Sequence, residues 1–382
     1  MPAHRHRVAL IVETSLASGR EILRGIARYA REVDRWQLFH AARGLQEAAP
    51  DWMQDWEGDG VIARVQSQEM ANALRAVRAP VVDVLGLVPD CGFPLVHVDD
   101  SLIAAEAARH FRERDFRHFA FFGIAGENWS ERRRRGFEKA CDGKVAILES
   151  KRGAAEASKA SLNTLRTWLR ELPKPVGILV ASDQRGLLLL EACRAEEIAV
   201  PEEVAVVGVD NDVPLCEISS PPLTSIRAGH FRVGYESARL LDGMMQGEMN
   251  PPPGSVLVPP TGVVVRGSSD TLAIDDPAIA AGVRYLREHL AESTTNDAVA
   301  RAVGISRTLF QQRFRVAMGQ TVRDYLIGLR LQRARLLIET SDLTLADIAQ
   351  RCGFKHQEYL GDVFRRHFGI TPGKLRQSTK EG

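Results

Sequence analysis

Two clusters of polar side chains in the last hundred residues have types and spacing suited to chemistry, each at the start of a helix-like segment and just behind a glycine. Behind Gly304 come Arg307, Thr308, Gln311 and Gln312; behind Gly353 come His356, Gln357, Glu358, Asp362 and Arg365. Glutamine bonds adenine bidentately, arginine bonds guanine or phosphate, and a threonine methyl can meet that of thymine. This is the chemistry of a helix reading the major groove of duplex DNA. A carboxylate accepts a hydrogen bond from cytosine N4 but is repelled by phosphate, so Glu358 and Asp362 are either base readers or solvated rim residues.

Presenting these side chains takes a short helix, a turn and a second helix, and the pattern occurs twice. Asp297 to Val303 leads through Gly304 to Ser306, the expected cap of the first exposed helix, and on to Phe314. Leu345 to Cys352 leads through Gly353 to His356 and on to Phe368, and a long helix, Thr321 to Thr340, joins the copies. Val299, Ala302, Val303, Leu309, Phe310 and Phe314 are the expected core of the first unit, about 297–317; Leu345, Ile348, Ala349, Phe354, Leu360, Phe364 and Phe368 are that of the second, about 344–368. A single helix, glycine and helix is common by chance; two joined by a long helix are not. The whole forms an all-α domain over 277–382, opened by Pro277 behind Asp275 or Asp276 as cap.

A chain of 382 residues exceeds what one core organises, so two or three domains are expected. Its 45% hydrophobic and 26% charged residues are those of an ordinary globular protein. No apolar run approaches the ~20 residues that span a bilayer, and Met1 to Arg7 leads into a strand bearing Glu13, not a signal-peptide core. A cytoplasmic protein with no membrane partner is expected. Cys91, Cys141, Cys193, Cys216 and Cys352 form no Cys-x-x-Cys pair and read as reduced thiols without a metal role. The net charge of +1 hides an asymmetry: from Pro277 onward 17 Lys and Arg face 10 Asp and Glu, leaving 33 against 39 before it. A basic tail on an acidic body calls for a polyanionic partner for the tail alone.

The first 270 or so residues alternate buried strands (Val8 to Val12, Gly60 to Ala63, Val81 to Leu85, Phe119 to Gly123, Gly177 to Ala181, Val204 to Val209) with helical patterns (Glu21 to Val33, Glu69 to Val77, Ala104 to Arg114, Glu131 to Cys141, Leu162 to Leu172, Gly186 to Glu196). Such βαβ alternation means parallel, doubly wound sheets covered on both faces, and the number of units suggests two. Ligands of such folds sit at the carboxyl ends of strands, here fed by Glu13 to Arg20, Gly123 to Arg133, Ala181 to Gln184 and Asp210 to Asp212. Proline, glycine and serine cluster at Asn250 to Ser255, and the polar residues 269–276 read as a linker after a body of 1–268. Against an enzyme, there is no Gly-x-x-x-x-Gly-Lys loop, no Gly-x-Gly-x-x-Gly after the first strand, no Gly-x-Ser-x-Gly elbow and no paired metal ligands, so neither catalysis nor a cofactor is expected.

The tail is similar to AraC/XylS-type regulators through Ala302, Gly304, Ser306, Leu309, Phe314, Gly319, Tyr325, Arg330, Ala334, Leu337, Ile348, Ala349, Gly353, Phe354, Phe364, Gly369, Thr371, Pro372 and Arg376. By position, the resemblance puts base contacts at Thr308, Gln311 and Gln312, and at Gln357, Glu358 and Asp362; relatives often have arginine in place of Asp362. It implies two recognition helices in successive major grooves about 34 Å apart.

Residues 7 to 268 resemble the ligand-binding body of lactose-repressor-type regulators, bilobed relatives of type I periplasmic sugar-binding proteins. The resemblance runs through Asp59-Gly60-Val61-Ile62, Val98-Asp99-Asp100, Ala181-Ser182-Asp183, Val207-Gly208-Val209-Asp210, Pro221-Pro222-Leu223-Thr224-Ser225-Ile226 and Arg266-Gly267-Ser268. It implies a sugar held by Asp210, whose carboxylate would accept two hydroxyl protons, and by Arg133, with Ser182, Asp183, Asn211 and Arg20 as further contacts. Trp129 either stacks on the sugar or packs the lobe; Asp210 either binds ligand or caps a turn; Asp99 either caps the next helix or braces the hinge. Most of Arg132 to Arg135 are expected on solvated helix surface. Where that family often has glutamine in the second crossover, this chain has Ala228.

Such bodies usually follow their DNA-binding segment, whereas here the reader lies behind. That order resembles xylose-responsive activators of the AraC type, through Arg5-His6-Arg7, Trp56 with Gly58 to Ala63, Trp129 with Arg133, and Val258-Pro259-Pro260. It implies a sugar-responsive transcription activator, with a pentose such as xylose favoured as effector, an operator in duplex DNA, a homodimer and RNA polymerase as partners. The alternatives are another sugar or small metabolite as effector, or a DNA binder whose body only dimerises.

Overall fold

Strand β1 (His6–Ile11) ends in four consecutive buried residues because helices cover both faces of its sheet. The computed structural model describes residues 5–40, 50–151, 159–248, 254–292 and 294–380. The chain divides into two units, Met1–Thr271 and Leu272–Gly382.

In the first unit β1 is followed by α1 (Ala17–Val33), β2 (Trp36–His40), β3 (Gly60–Ala63), α2 (Gln68–Arg75), β4 (Val81–Asp83) and β5 (Val96–Val98). The first sheet has the order β2-β1-β3-β4, all parallel. Ala9, Ile11, Val61 and Ala63 face Met53, Met70 and Leu74 on one side. The second lobe is built from α3 (Asp100–Arg112), β6 (His118–Ile124), α4 (Asn128–Ala140), β7 (Val145–Ser150), α5 (Lys159–Glu171), β8 (Val176–Val180), α6 (Asp183–Ala195), β9 (Val204–Val209), α7 (Val213–Ile218) and β10 (Thr224–Ile226). The chain then returns to the first lobe in α8 (His230–Met245) and β11 (Val256–Val258), which pairs with β5, and closes the second sheet with β12 (Val263–Val264). That sheet has the order β12-β10-β9-β8-β6-β7 and is parallel except at β12. Ala120, Phe122, Ile178, Val180 and Val206 pack beneath Leu165, Leu169, Leu189 and Leu190. Two parallel, doubly wound layers are the expected architecture.

Three crossovers join the lobes and are bonded to one another. Asp99 N donates to Val258 O at 2.7 Å, Arg227 N to Gly262 O at 2.9 Å and Thr261 N to Arg227 O at 2.9 Å. Asp99 also caps α3, its Oδ1 accepting from Ser101 and Leu102 N at 3.0 Å, so it does both jobs considered for it. Helices α1 and α8 pack backbone to backbone: a Cβ at Gly234 would lie 2.0 Å from Ile22 O.

The six strands read from the sequence match within two residues. The missed ones are edges or short pieces: β2 and β7 border their sheets, and β7 is only half-buried on alternate residues, so neither shows a continuous apolar run. The Asn250 to Ser255 cluster lies mostly outside the described residues. Ser269 is fully buried and donates to Thr224 Oγ1 at 2.8 Å in the body, while Ile274 is buried in the core of the tail.

The second unit is all helical: α9 (Pro277–Glu288), α10 (Asn296–Ala302), α11 (Arg307–Met318), α12 (Val322–Thr340), α13 (Leu345–Arg351), α14 (Gln357–Phe368) and α15 (Pro372–Lys380). Asp276 caps α9, accepting from Ala278 N at 3.0 Å. Phe310, Phe314 and Met318, spaced by four, line the first core with Ile279 and Val283 of α9. Leu309 is a correction. It stands one residue off that stripe and is 41% exposed.

Candidate functional site

Strand β9 ends at Val209, and the next two residues adopt positive φ, 101° at Asp210 and 52° at Asn211. Non-glycine residues in sparsely populated regions cost of order 1–3 kcal/mol and persist where surroundings over-determine them. Here three successive amides are captured: Asp210 N by Ile226 O (3.0 Å), Asn211 N by Ser225 Oγ (3.0 Å) and Asp212 N by Asp183 Oδ2 (2.7 Å). The strained turn presents the Asp210 carboxylate to His230 and Arg133. His230 Nε2, at the start of α8 in the other lobe, donates to Oδ1 at 2.9 Å, and Arg133 Nη2 lies 4.0 Å away. Burial alone would raise this carboxyl, but the hydrogen bond and charge of His230, with Arg133 and Arg64, bring it down to about 2. It is a firmly ionised acceptor.

Arg133 is buried, with Nε on Asp100 Oδ1 at 2.8 Å, Nη1 on Ala181 O, and its guanidinium 4.9 Å from the Trp129 ring. Trp129 is buried and donates to Glu127 Oε2 at 2.8 Å, an arrangement in which it packs the lobe beneath the arginine. The four arginines are not mostly solvated, which corrects the expectation. Arg132 also bonds Asp100, Oδ2 at 2.8 Å, Arg134 meets Glu138 at 3.0 Å, and Arg135 is the exposed one. Their helix sits over the hinge, where Asp100 gathers two of them.

Asp183, fully buried, accepts from Ser225 Oγ at Oδ1 (2.6 Å) and from Asp212 N at Oδ2 (2.7 Å), so it holds the turn. Burial and the charge of Asp210 push its pKa up to about 8. Ser182 stands at the N-cap position of α6 without a side-chain cap bond and is buried; Asn211 Oδ1 accepts from Arg266 Nη2 at 2.9 Å. Arg20 grips its own loop through Thr14 O (2.9 Å) and Ser15 O (3.1 Å) and reaches Asp212 Oδ2 of the other lobe at 3.5 Å.

Sequence reasoning missed Arg64, His230 and Asp100, and named Glu13 only as the start of a loop. Arg64 follows β3 and pairs with Glu13, which follows β1. A charge directly beyond a buried apolar strand was the signal available for both.

In the tail every residue expected to read DNA is exposed: Arg307, Thr308, Gln311 and Gln312 on α11, and His356, Gln357, Glu358, Asp362 and Arg365 on or before α14. Ser306 caps α11, accepting from Leu309 N at 3.3 Å; His356 occupies the same place before α14 without a side-chain cap bond. The two turns repeat in detail, with φ of 75° at both Gly304 and Gly353. Gly353 has a second reason to be glycine. Arg330 of α12 donates to Leu290 O (2.9 Å) and Glu292 O (2.7 Å), and a Cβ on Gly353 would meet its Nε at 2.8 Å. Arg330 thus braces the linking helix against the end of α9. Arg307 is held by Asp297 at 3.1 Å.

Among the described residues no group of His, Cys, Asp and Glu could hold a metal ion, and no helix is long and apolar enough to cross a membrane. Three family models match the chain: a XylR N-terminal domain over residues 7–94, a periplasmic binding protein-like domain over 108–269 and a helix-turn-helix domain over 299–378. The xylose operon regulatory protein of Escherichia coli (strain K12) is 31% identical over 99% of this chain and 98% of its own. That of Haemophilus influenzae is 26% identical over 98% and 99%. A solved structure described as the xylose-binding transcription activator xylR superposes with a TM-score of 0.83 at 29% identity, covering 99% of both chains.

Proposed function

We propose, for a chain that belongs to the family of xylose operon regulatory proteins, that a pentose held between the lobes of the body sets how the two helix-turn-helix units engage an operator. The protein is a xylose-responsive DNA-binding regulator. The observation that carries the ligand class is the charge balance of the cleft. Arg20 faces Asp212, Arg64 faces Glu13, and Arg132 and Arg133 face Asp100 and Asp210. An anionic or cationic ligand would leave one of these charges unmatched in a poorly solvated site, whereas hydroxyls add hydrogen bonds and no charge.

Asp210 is the first acceptor for those hydroxyls, and Arg133, already fixed by Asp100 and Ala181 O, presents Nη2 beside it. Asn211, Ser182 and Arg20 form the rim, Trp129 supports Arg133, and Asp183 holds the turn. On the tail, Arg307, Thr308, Gln311 and Gln312 contact one major groove, and His356, Gln357, Glu358, Asp362 and Arg365 the next. Domains of 1–268 and 277–382, a homodimer, RNA polymerase as the partner of an activator and a cytoplasmic location complete the reading, with no catalytic step. The similar solved structure is that of a transcription activator, which supports recruitment of RNA polymerase.

The ligand shifts DNA binding only as far as it prefers the DNA-competent arrangement, and tenfold coupling needs about 1.4 kcal/mol. Fluorescence anisotropy of a labelled promoter fragment, with and without D-xylose, measures this. Operator affinity unchanged by every pentose and hexose refutes the coupling. A body that only dimerises would show no sugar-dependent rise in melting temperature, whereas a sensor shows one that grows with sugar concentration.

A further inference from the structure

Residues 266–269 carry the chain out of the body, and their polar groups are tied to the second lobe. Thr224 opens β10, and its hydroxyl serves three partners. Oγ1 donates to Arg266 O at 2.9 Å and accepts from Arg266 N and from Ser269 Oγ, both at 2.8 Å. With those two hydroxyl protons spent, the His110 ring of α3 must be the donor in its 2.8 Å bond from Nε2 to Ser269 Oγ. Ser268 is fixed in the same way, its Oγ accepting from Thr224 N at 2.8 Å and donating to Val206 O at 2.7 Å. Both serines are fully buried.

Arg266 extends this clamp to the turn behind β9. Its Nη1 donates to Leu223 O at 3.0 Å and its Nη2 to Asn211 Oδ1 at 2.9 Å. Asn211 is the second positive-φ residue of the turn and follows Asp210 directly. A hydrogen bond from a charged group contributes about 1.5–3 kcal/mol, comparable with the roughly 1–3 kcal/mol of strain that such a backbone position holds. The arginine is therefore strong enough to follow the turn or to restrain it. At the other end of the clamp Ile274, in the core of the tail, comes shortly after Ser269 in the chain. A contiguous route of bonded groups runs from Asp210 through Asn211, Arg266 and Thr224 to Ser269, where the chain leaves for the tail.

We infer that Arg266 is the positioning residue that couples the sugar to the DNA reader, holding Asn211 with its guanidinium and the exit segment with its backbone, so that the placement of residues 266–269 depends on whether Asp210 is occupied. The inference rests on the sugar-sensing reading above and deepens it by naming the regulatory contact. Hydroxyls bound at Asp210 pull on a turn whose strain is shared with Asn211, and Arg266 passes the change to the backbone that enters the tail. Small shifts of this kind matter where both sites bias the same two arrangements.

The test uses the full-length protein and compares two quantities. One is the D-xylose affinity without DNA, by isothermal titration calorimetry; the other is the ratio of operator affinities with and without saturating D-xylose, by fluorescence anisotropy. Arg266→Met keeps the length of the side chain and removes both guanidinium bonds. It is expected to bind D-xylose within about threefold of wild type, while the ratio falls from about tenfold or more to less than about twofold. A wild-type ratio in this variant overturns the assignment, whether or not both affinities fall, since an arginine that only braces the body lowers stability and leaves the ratio alone. Complete loss of D-xylose binding also overturns it, because Arg266 would then belong to the sugar site. If Arg266→Met does not fold, Ser269→Ala frees the far end of the same clamp and is read by the same two measurements. Wild-type protein whose operator affinity ignores D-xylose overturns the sensing reading itself, an outcome distinct from a coupled wild type whose ratio survives in the variant.

Discussion

Asp183 gives a test of the cleft that needs no ligand. Its carboxyl is buried beneath the Asp210 turn, and burial with the charge of Asp210 raises its pKa from 3.8 to about 8. The folded protein therefore holds this proton more tightly than the unfolded chain does. The associated stability is fully present below pH 4, falls as pH rises, and is gone above about pH 8. Each unit of pH inside that window is worth about 1.4 kcal/mol, so between pH 6 and 7.5 the wild type loses roughly 2 kcal/mol from this group. At about 2–4 °C per kcal/mol for a unit this large, the melting temperature should fall by roughly 4–8 °C.

Asp183→Asn is neutral at every pH and keeps an acceptor for Asp212 N, while Ser225 can turn its hydroxyl to suit the amide. The variant should lack this component of the slope, matching wild type near pH 5 and exceeding it above pH 8. The assay is thermal unfolding by tryptophan fluorescence over pH 5–9. Trp36, Trp52, Trp56, Trp129 and Trp168 all lie in the first unit, so the signal reports the body alone. Parallel stability curves for wild type and Asp183→Asn would refute both the raised pKa and the role given to this carboxyl.

Three further outcomes are expected. Gly234→Ala places a Cβ 2.0 Å from a backbone carbonyl of α1, so it should destabilise the body by about 3 kcal/mol or more, read in the same fluorescence melt. Ser306→Ala removes the cap of α11 and should cost about 1 kcal/mol in protection of the tail measured by hydrogen exchange, whereas His356→Ala, with no cap bond to lose, should leave it unchanged. Gln311→Ala should lose about 1–3 kcal/mol at the cognate operator and nothing on random duplex in anisotropy titrations; equal losses on both would make it a backbone contact.

The doubled helix-turn-helix was legible because its signals are local. Ser306, Gly304 and Gly353 act through their own turns, and Phe310, Phe314, Ile348 and Phe364 follow helical spacing. Apolar runs marked the central strands, covered on both faces, but not the edges β2 and β7, where one side is open. Leu309 was misplaced because a pattern shows that a helix has an apolar stripe more clearly than which of two adjacent residues lies within it.

The site was legible to the level of loops. Glu13 to Arg20 and Asp210 to Asp212 could be placed at carboxyl ends of strands, since a βαβ alternation dictates where strands point. What each charge does depends on partners far along the chain: Arg64 on Glu13, 51 residues away, Arg133 on Asp100, 33 away, and His230 on Asp210, 20 away and from the opposite lobe. Electrostatic fate depends on distance in space and on burial, which residue spacing does not carry.

By itself the sequence determined the two-part plan, the parallel sheets, the capped and repeated reading helices, and the balance of a basic tail on an acidic body, because periodicity, turn chemistry and net charge are properties of short stretches or of sums. Only the tertiary structure decided that Asp183 serves the turn, that Arg132 and Arg133 converge on Asp100, and that Glu13 and Arg64 meet. Those outcomes required two strands, or two lobes, to be brought side by side.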